Sequence, residues 1–597
     1  MKLFNEFEPV SSKQWKQQIQ FDLKGADYND TVVWKSPEDI QVKPFYHYDE
    51  SNPIFGLNTK ATEFKIGQSI FVHDVEKSIT NALDSIQRGA ESLIFSIENE
   101  KIDVEKLLNS LPLEKITVHF HLQFLSIDFV TKIEKIAQSK NTTIFCNLDP
   151  IGHLAREGNW YATPDKDNFV TLEKLSKSSS VSSLISIDAS LYQNAGATMV
   201  QQLAYALGHA TEYLNAIASL NQPIVFQVSV GSNYFFEIAK LRALRLLFTS
   251  IAKEFGHTLD CHIAVSPTKR NKTIYDYNVN MLRTTSECMS AIFGGANTIT
   301  NLPYDVLYHK DNEFGSRISR NQLLILKKES YFDKVNNPAD GSYYIESITQ
   351  QLAEKALVLF KDIEANGGFL KQLKEGTIKR KIQESADAEQ KAFDEGKEVL
   401  LGTNKYPNKN DKMKHDLELF PFVKIKPRKT LIKPIIEKRL AEKMEEERLE
   451  NESLKTYLRL FMKKLILFLL LGFSQLIVAQ KTETETKAEQ EDLSVYNTAG
   501  IEVKPEFSGG MNEFYSYVAR NYWVPNMKDL SGTVYISFIV EKDGSINEIK
   551  VIRDIGFGTG EEAIRVMQKC KNWIPGTQNG KNVRVLYSLP IKIGPGN

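Results

Sequence analysis

The chain is predicted to fold as an α/β protein, a (β/α)8 TIM barrel with an N-terminal arm and C-terminal helices, followed by a small α+β domain. Between Lys65 and Asn301, eight short runs rich in Val, Ile and Phe alternate with longer amphipathic stretches. Near-continuous apolar runs mark strands that are covered on both faces, as in a parallel sheet. Eight such units in about 250 residues is the count and length of a (β/α)8 barrel. The last hundred or so residues instead alternate apolar and polar positions between tight-turn signals, the pattern of an antiparallel sheet with one solvated face.

The expected barrel strands are Lys65–Phe71, Glu91–Ile97, Lys115–His121, Thr142–Leu148, Ser183–Ala189, Pro223–Val230, Leu259–Val265 and Asn297–Asn301, with helices such as Met199–Ser219 and Tyr234–Phe255 between them. An open doubly wound sheet has the same local pattern, so periodicity leaves both architectures open. Near the end, a helix over Asn512–Asn521 precedes a strand over Thr533–Val540. Asp543-Gly544 is a hairpin turn leading to Ile549–Arg553. Thr559-x-x-Glu562 reads as a capping box opening a helix through Met567, and Val583–Ile593 supplies a last strand.

Composition narrows the function. A formal net charge of −1 over 597 residues, with no face-wide basic excess, argues against nucleic acid. Cys146, Cys261, Cys288 and Cys570 are scattered, with neither a zinc pair nor a disulfide framework. His119 and His121 share a strand face and could hold a metal, but no third ligand is identifiable, and lining residues are the simpler reading. Gly294-Gly295-Ala296-Asn297 could cradle a phosphate, although a glycine pair before a strand is ordinarily a turn. The run Glu437–Glu452, with Lys438/Glu442 and Lys443/Glu447 at helical spacing, reads as a solvated helix.

Several motifs occur in a fixed order. They are Leu3-Phe4-Asn5-Glu6-Phe7, Trp15, Asp22-Leu23-Lys24-Gly25 and Val42-Lys43-Pro44-Phe45-Tyr46. Ser186-Ile187-Asp188-Ala189 then leads to Asn194-Ala195-Gly196-Ala197. Phe235 to Ala243, Asp340-Gly341-Ser342-Tyr343-Tyr344-Ile345-Glu346 and Ile363 to Gly368 follow. Residues 1–450 thereby resemble methylmalonyl-CoA mutase small subunits. The resemblance implies a heterodimer with a large subunit that isomerises methylmalonyl-CoA to succinyl-CoA using adenosylcobalamin.

It also implies what this chain lacks. Catalytic chains of the family carry a Tyr-His pair where Ser190 and Leu191 stand here, and leucine has no polar group to offer a thioester. Their Arg-Gly-Pro-Tyr element is replaced by Ser51-Asn52-Pro53-Ile54-Phe55-Gly56. The family's cobalamin motif, Asp-x-His-x-x-Gly, has one partial counterpart, Asp260-Cys261-His262, with Val265 where glycine is needed. The expectation is therefore no catalytic, cofactor-binding or metal residue on this chain, with adenosylcobalamin on the large subunit.

Met462-Lys463-Lys464, an apolar run to Ala479 and then Gln480 have the grammar of a secretory signal, short for a spanning helix of roughly 20 residues. Lys481 to Asp492 reads as a flexible linker. Beyond it, Pro505-Glu506-Phe507-x-Gly509-Gly510, Val540-Glu541-Lys542-Asp543-Gly544-Ser545-Ile546, Gly558-x-Gly560-Glu561-Glu562-Ala563 and Trp573-x-Pro575-Gly576 resemble the TonB C-terminal domain. That resemblance implies a two-helix, three-stranded periplasmic module pairing an edge strand with an outer-membrane receptor or other envelope protein.

The expected organisation is an arm over 1–60, the barrel over 61–345, helices and tail over 346–450, a signal-like segment over 451–480, a linker over 481–494 and the TonB-like domain over 495–597. Residues 1–450 are expected in the cytoplasm, and 481–597 in the periplasm or anchored at the inner membrane. The two parts are either a fusion or neighbouring genes joined at Met462. The alternative function is a membrane-anchored TonB-type envelope protein whose barrel has another role.

Overall fold

The computed structural model describes residues 8–50, 57, 59–162, 166–178, 181–258, 260–424, 427–452, 495–498, 501–523, 531–571 and 573–593. The signal-like segment, the linker, Leu3–Phe7 and Ser51–Gly56 lie outside them. The chain divides into two compact units, Met1–Leu467 and Phe468–Asn597.

In the first unit a small hairpin, β1 (Trp34–Lys35) with β2 (Gln41–Val42), precedes the eight expected strands. These are β3 (Lys65–Phe71), β4 (Ser92–Ile97), β5 (Thr117–Leu122), β6 (Ile144–Leu148), β7 (Ser183–Asp188), β8 (Ile224–Val230), β9 (Cys261–Pro267) and β10 (Thr298–Thr300). All are parallel to their neighbours, and β10 pairs with both β9 and β3, closing a barrel. That closure excludes the open sheet. Outward-facing Leu93, Phe95, Ile97, Val118 and Phe120 are buried beneath the helices, which explains why the strands read as continuous apolar runs.

Two long-range polar contacts fasten the accessory parts. The helix Met199–Ala216 begins in a capping box of Thr198 and Gln201. Its first amides, Met199 and Val200, also donate to Glu38 at 2.7 and 2.9 Å. A carboxylate suits the positive end of a helix, so the β1–β2 hairpin docks there by its loop. After the barrel, fully buried Arg242 on the helix Tyr234–Glu254 pairs with Asp340 and, at 2.7 Å, with Glu346 at the start of the helix Tyr343–Ala365.

The turn reading of the glycine pair holds, and three other sequence expectations need correction. Gly294 and Gly295 form the C-terminal turn of the helix Val279–Phe293, with φ at Gly295 of +82°. They lie at the N-terminal end of β10, away from the end where barrels bind ligands. The Glu437–Glu452 run is not simply solvated, because Glu442 and Glu445 are buried. Glu445 pairs with Arg439 and accepts the Ile274 amide at 2.8 Å, and Glu452 accepts the Tyr275 hydroxyl at 2.7 Å. Glu442 accepts from the Val423 and Arg439 amides instead of pairing with Lys438.

The other two corrections lie in the second unit. It comprises β11 (Val495–Asn497), β12 (Glu506–Phe507), β13 (Gly532–Val540), β14 (Ile546–Arg553), β15 (Trp573–Ile574), β16 (Gly576–Gln578) and β17 (Lys581–Ile593), with helices Gly510–Asn521 and Thr559–Gln568. The sheet order is β11-β17-β13-β14, with β16 also on β17, so among the described residues the sheet has five strands where three are expected. Val534, Ile536, Phe538 and Val540 turn one face of β13 into a core with Trp573. Thr559 is not an N-cap. Left-handed Gly558 precedes the helix, the Thr559 hydroxyl bonds Asp554, and Glu562 pairs with Arg565.

Candidate functional site

The barrel keeps an open chamber. A cavity of about 740 Å³ runs into the lumen from the C-terminal ends of the strands. Ordinary barrels fill this space with bulky branched side chains. Here the lining includes Ser69, Ser96, Ser186, Gln227, Ser266 and Thr300, which are short or polar and leave room.

Three rings form the floor. His119 stacks on Phe145 at 4.3 Å between centroids, and His262 packs against His119 at 5.2 Å and Phe145 at 4.5 Å. The His262 Nε2 lies 3.0 Å from the Thr298 hydroxyl. Burial, reinforced by the charge on Arg245, pushes the His262 imidazole down to about 3. Burial drives His119 well below its usual range too, with His262 and His121 adding to it. Both rings are therefore neutral at physiological pH.

The residues of the partial cobalamin motif do not fit that cofactor. His262 is enclosed between lumen rings, and Asp260 is engaged by Arg245 at 3.1 Å and by the Cys261 amide at 2.8 Å. Among the described residues, no group of three or more His, Cys, Asp or Glu could hold a metal ion. His119 and His121 both line the chamber.

Charge is confined to the rim. Arg156, from the helix Pro150–Glu157, donates to Asp188 at 2.6 Å and to Glu437 at 2.7 Å. Burial opposes ionisation of Asp188, but the Arg156 guanidinium and the Ser190 hydroxyl hold its carboxyl below the usual range. Ser190 donates to Asp188 at 2.5 Å. Leu191 points the other way and is fully buried in the hydrophobic core.

Behind the rim, Asp149 is a hub. Its carboxylate accepts the Gly152 amide at 2.8 Å, the Asp188 amide at 2.8 Å and the Tyr213 hydroxyl at 2.7 Å. It also lies 2.9 Å from His209, whose other nitrogen is 3.0 Å from the Tyr192 hydroxyl. Ser190 thus faces the chamber and Leu191 does not. The sequence reading missed Arg156, Asp149, His209 and Glu437. Asp149-Pro150 at a strand end was the available signal, since Asp before Pro opens a helix.

A family model described as methylmalonyl-CoA mutase matches residues 95–465, and one described as Gram-negative bacterial TonB protein C-terminal matches residues 526–592. The methylmalonyl-CoA mutase small subunit of Porphyromonas gingivalis is 32% identical over 443 residues, 68% of this chain and 71% of the relative. The small subunit of Propionibacterium freudenreichii subsp. shermanii is 30% identical over 450 residues, 68% of this chain and 70% of that one. The methylmalonyl-CoA mutase of Cereibacter sphaeroides is 34% identical over 458 residues, but those cover 64% of it and 66% of this chain.

Proposed function

Because this chain belongs to the methylmalonyl-CoA mutase family, we propose that residues 1–450 are a small, non-catalytic subunit of a methylmalonyl-CoA mutase heterodimer. In this reading the complex isomerises methylmalonyl-CoA to succinyl-CoA, and adenosylcobalamin sits on the large subunit. The observation that carries it is the position expected to hold a reactive pair. Leu191 is committed to the core, and Ser190 is tied to Asp188. Neither can take the role of a Tyr-His pair toward an acyl group, and the only partial cobalamin motif buries its imidazole in the lumen.

The experiment is turnover of methylmalonyl-CoA with adenosylcobalamin by the purified chain, alone and mixed with the large subunit. No turnover alone and co-elution with the large subunit on gel filtration are expected. Appreciable turnover alone defeats the non-catalytic reading, and failure to co-elute defeats the heterodimer. Leu191→His alone is expected to give no turnover in the same assay.

The TonB-like domain is proposed to bind an extended segment of an outer-membrane receptor or envelope protein from the periplasm, with residues 1–450 in the cytoplasm. Neighbouring genes joined at Met462 are favoured over a fusion, because a cleavable signal works at an N-terminus and the apolar run is short for an anchor. Immunoblotting of native cells distinguishes the cases. Two products support joined genes, and a single full-length band rules them out.

A further inference from the structure

The sheet of the C-terminal unit has two sides, and they are built differently. On one side lies β14. Its pairing with β13 shifts register twice, between Tyr535 and Ile536 and between Ser537 and Ile539, and Glu548 takes a positive φ of +51°. Glu548, Lys550 and Arg553 are exposed. A bulged, charged strand resists the addition of another. On the other side β17 runs straight, paired without a shift from Gly532 with Ile593 to Val540 with Val585. That straight edge is the one β11 occupies. Val495, Tyr496 and Asn497 lie parallel to Arg584, Val585 and Leu586, and Val585 and Leu586 also pair with β13.

Resting on the reading that the TonB-like domain binds an extended segment, we propose that β11 is a built-in guest on the β17 edge and that the partner's segment binds by taking its place. The guest is lightly held. Neither Val495 nor Tyr496 belongs to the C-terminal core or packs against it, and Val495 is 43% exposed. Backbone pairing over three residues is its main attachment, and such segments open at least cost. The strand also lies outside residues 526–592, the stretch that the family model matches.

The seat is longer than its occupant. Among the described residues, Tyr587, Ser588 and Leu589 of β17 pair with β13 alone. Pro590 then ends the seat, because proline offers no N–H to a strand laid alongside. A partner segment parallel to β17 can pair along Arg584–Leu589, and so offers more backbone hydrogen bonds than β11. Side chains alternate along a strand, so the residue opposite Val585 shares its face, where Val585 is fully buried. Tyr496 holds that position and is itself partly buried. The partner segment is expected to bring a bulky apolar or aromatic residue there. Until it does, the tethered β11 lowers its apparent affinity by competing for the seat.

Disulfide trapping tests the exchange. The four native cysteines are buried and Leu586 is exposed, so Leu586→Cys on the full chain introduces an accessible thiol. The probe is a synthetic peptide of residues 493–500 carrying Asn497→Cys, activated as a mixed disulfide with thionitrobenzoate. In the β11 register the peptide's cysteine lies opposite position 586. The introduced thiolate attacks its sulfur, forms the new disulfide and releases thionitrobenzoate, whose colour is read. Adding Tyr496→Pro to the chain breaks the β11 pairing and is expected to speed trapping at least about tenfold, since the tethered competitor is gone. A scrambled peptide with the same activated cysteine is the control. Acceleration of the β11 peptide alone supports the proposal. Equal rates with and without Tyr496→Pro, but above those of the scrambled peptide, overturn it and leave the edge a binding seat. No preference over the scrambled peptide on either chain overturns the strand-binding reading too. Hydrogen exchange on the unaltered chain is the second measurement. The β11 amides are expected to exchange at least about tenfold faster than the β17 amides that face β13, and equal protection overturns the proposal.

Discussion

Two imidazoles in the lumen are kept neutral by burial, and this gives the protein an acid limit. In the unfolded chain His262 takes up its proton near pH 6.5, whereas in the fold it does so only at about 3. Between those values the unfolded state binds more protons, so stability falls as pH falls through that window. At pH 5 this one group costs about 2 kcal/mol, and His119 acts in the same direction. His262→Asn is expected to flatten the dependence of urea-unfolding free energy on pH between 7 and 5 by about that amount. An unchanged slope would show that the ring does not govern acid sensitivity. At this scale the resemblance read from the sequence implies that Ser190 and Leu191 stand where a reactive pair would be. It could not show that one faces the chamber and the other the core, because the short turn after β7 decides that.

The strands were legible because each makes its own case locally. All eight appear where the apolar runs lie, with ends shifted by a residue or two. The accessory elements were not, because their partners are far away in sequence. Glu38 meets residues 161 and 162 positions on, and Glu445 meets an amide 171 positions back. The tail run looked solvated because charge pattern records composition and not the long-range partner. Glu445→Ala is accordingly expected to destabilise the first unit by about 3 kcal/mol, since it strands the buried Arg439 guanidinium. Chemical denaturation measures the loss. A change below about 0.5 kcal/mol, the range of ordinary surface substitutions, would return the run to a solvated helix. The capping-box expectation failed for a local reason. Gly558, with its positive φ, already ends the preceding turn, leaving Thr559 inside the helix with its hydroxyl on Asp554.

Across the whole molecule the two cores share no residue. One gathers side chains from Ile40 to Ile435 and the other from Phe507 to Ile593. Phe538 is fully buried in the second, against Trp573. Phe538→Ala is expected to cost the C-terminal unit about 3–5 kcal/mol and to leave the barrel's unfolding midpoint in place, with calorimetry following both. A fall in the barrel midpoint would mean that the two units fold as one. The ring floor of the chamber has a separate consequence. A barrel open at both ends lets a guest enter at one end and leave at the other, whereas His119, Phe145 and His262 turn this one into a cul-de-sac. Whatever enters must back out the way it came, and a newcomer cannot push it through from behind. Arrival and departure thus share a single doorway, so anything that narrows that doorway slows both by the same factor and leaves the equilibrium between them untouched.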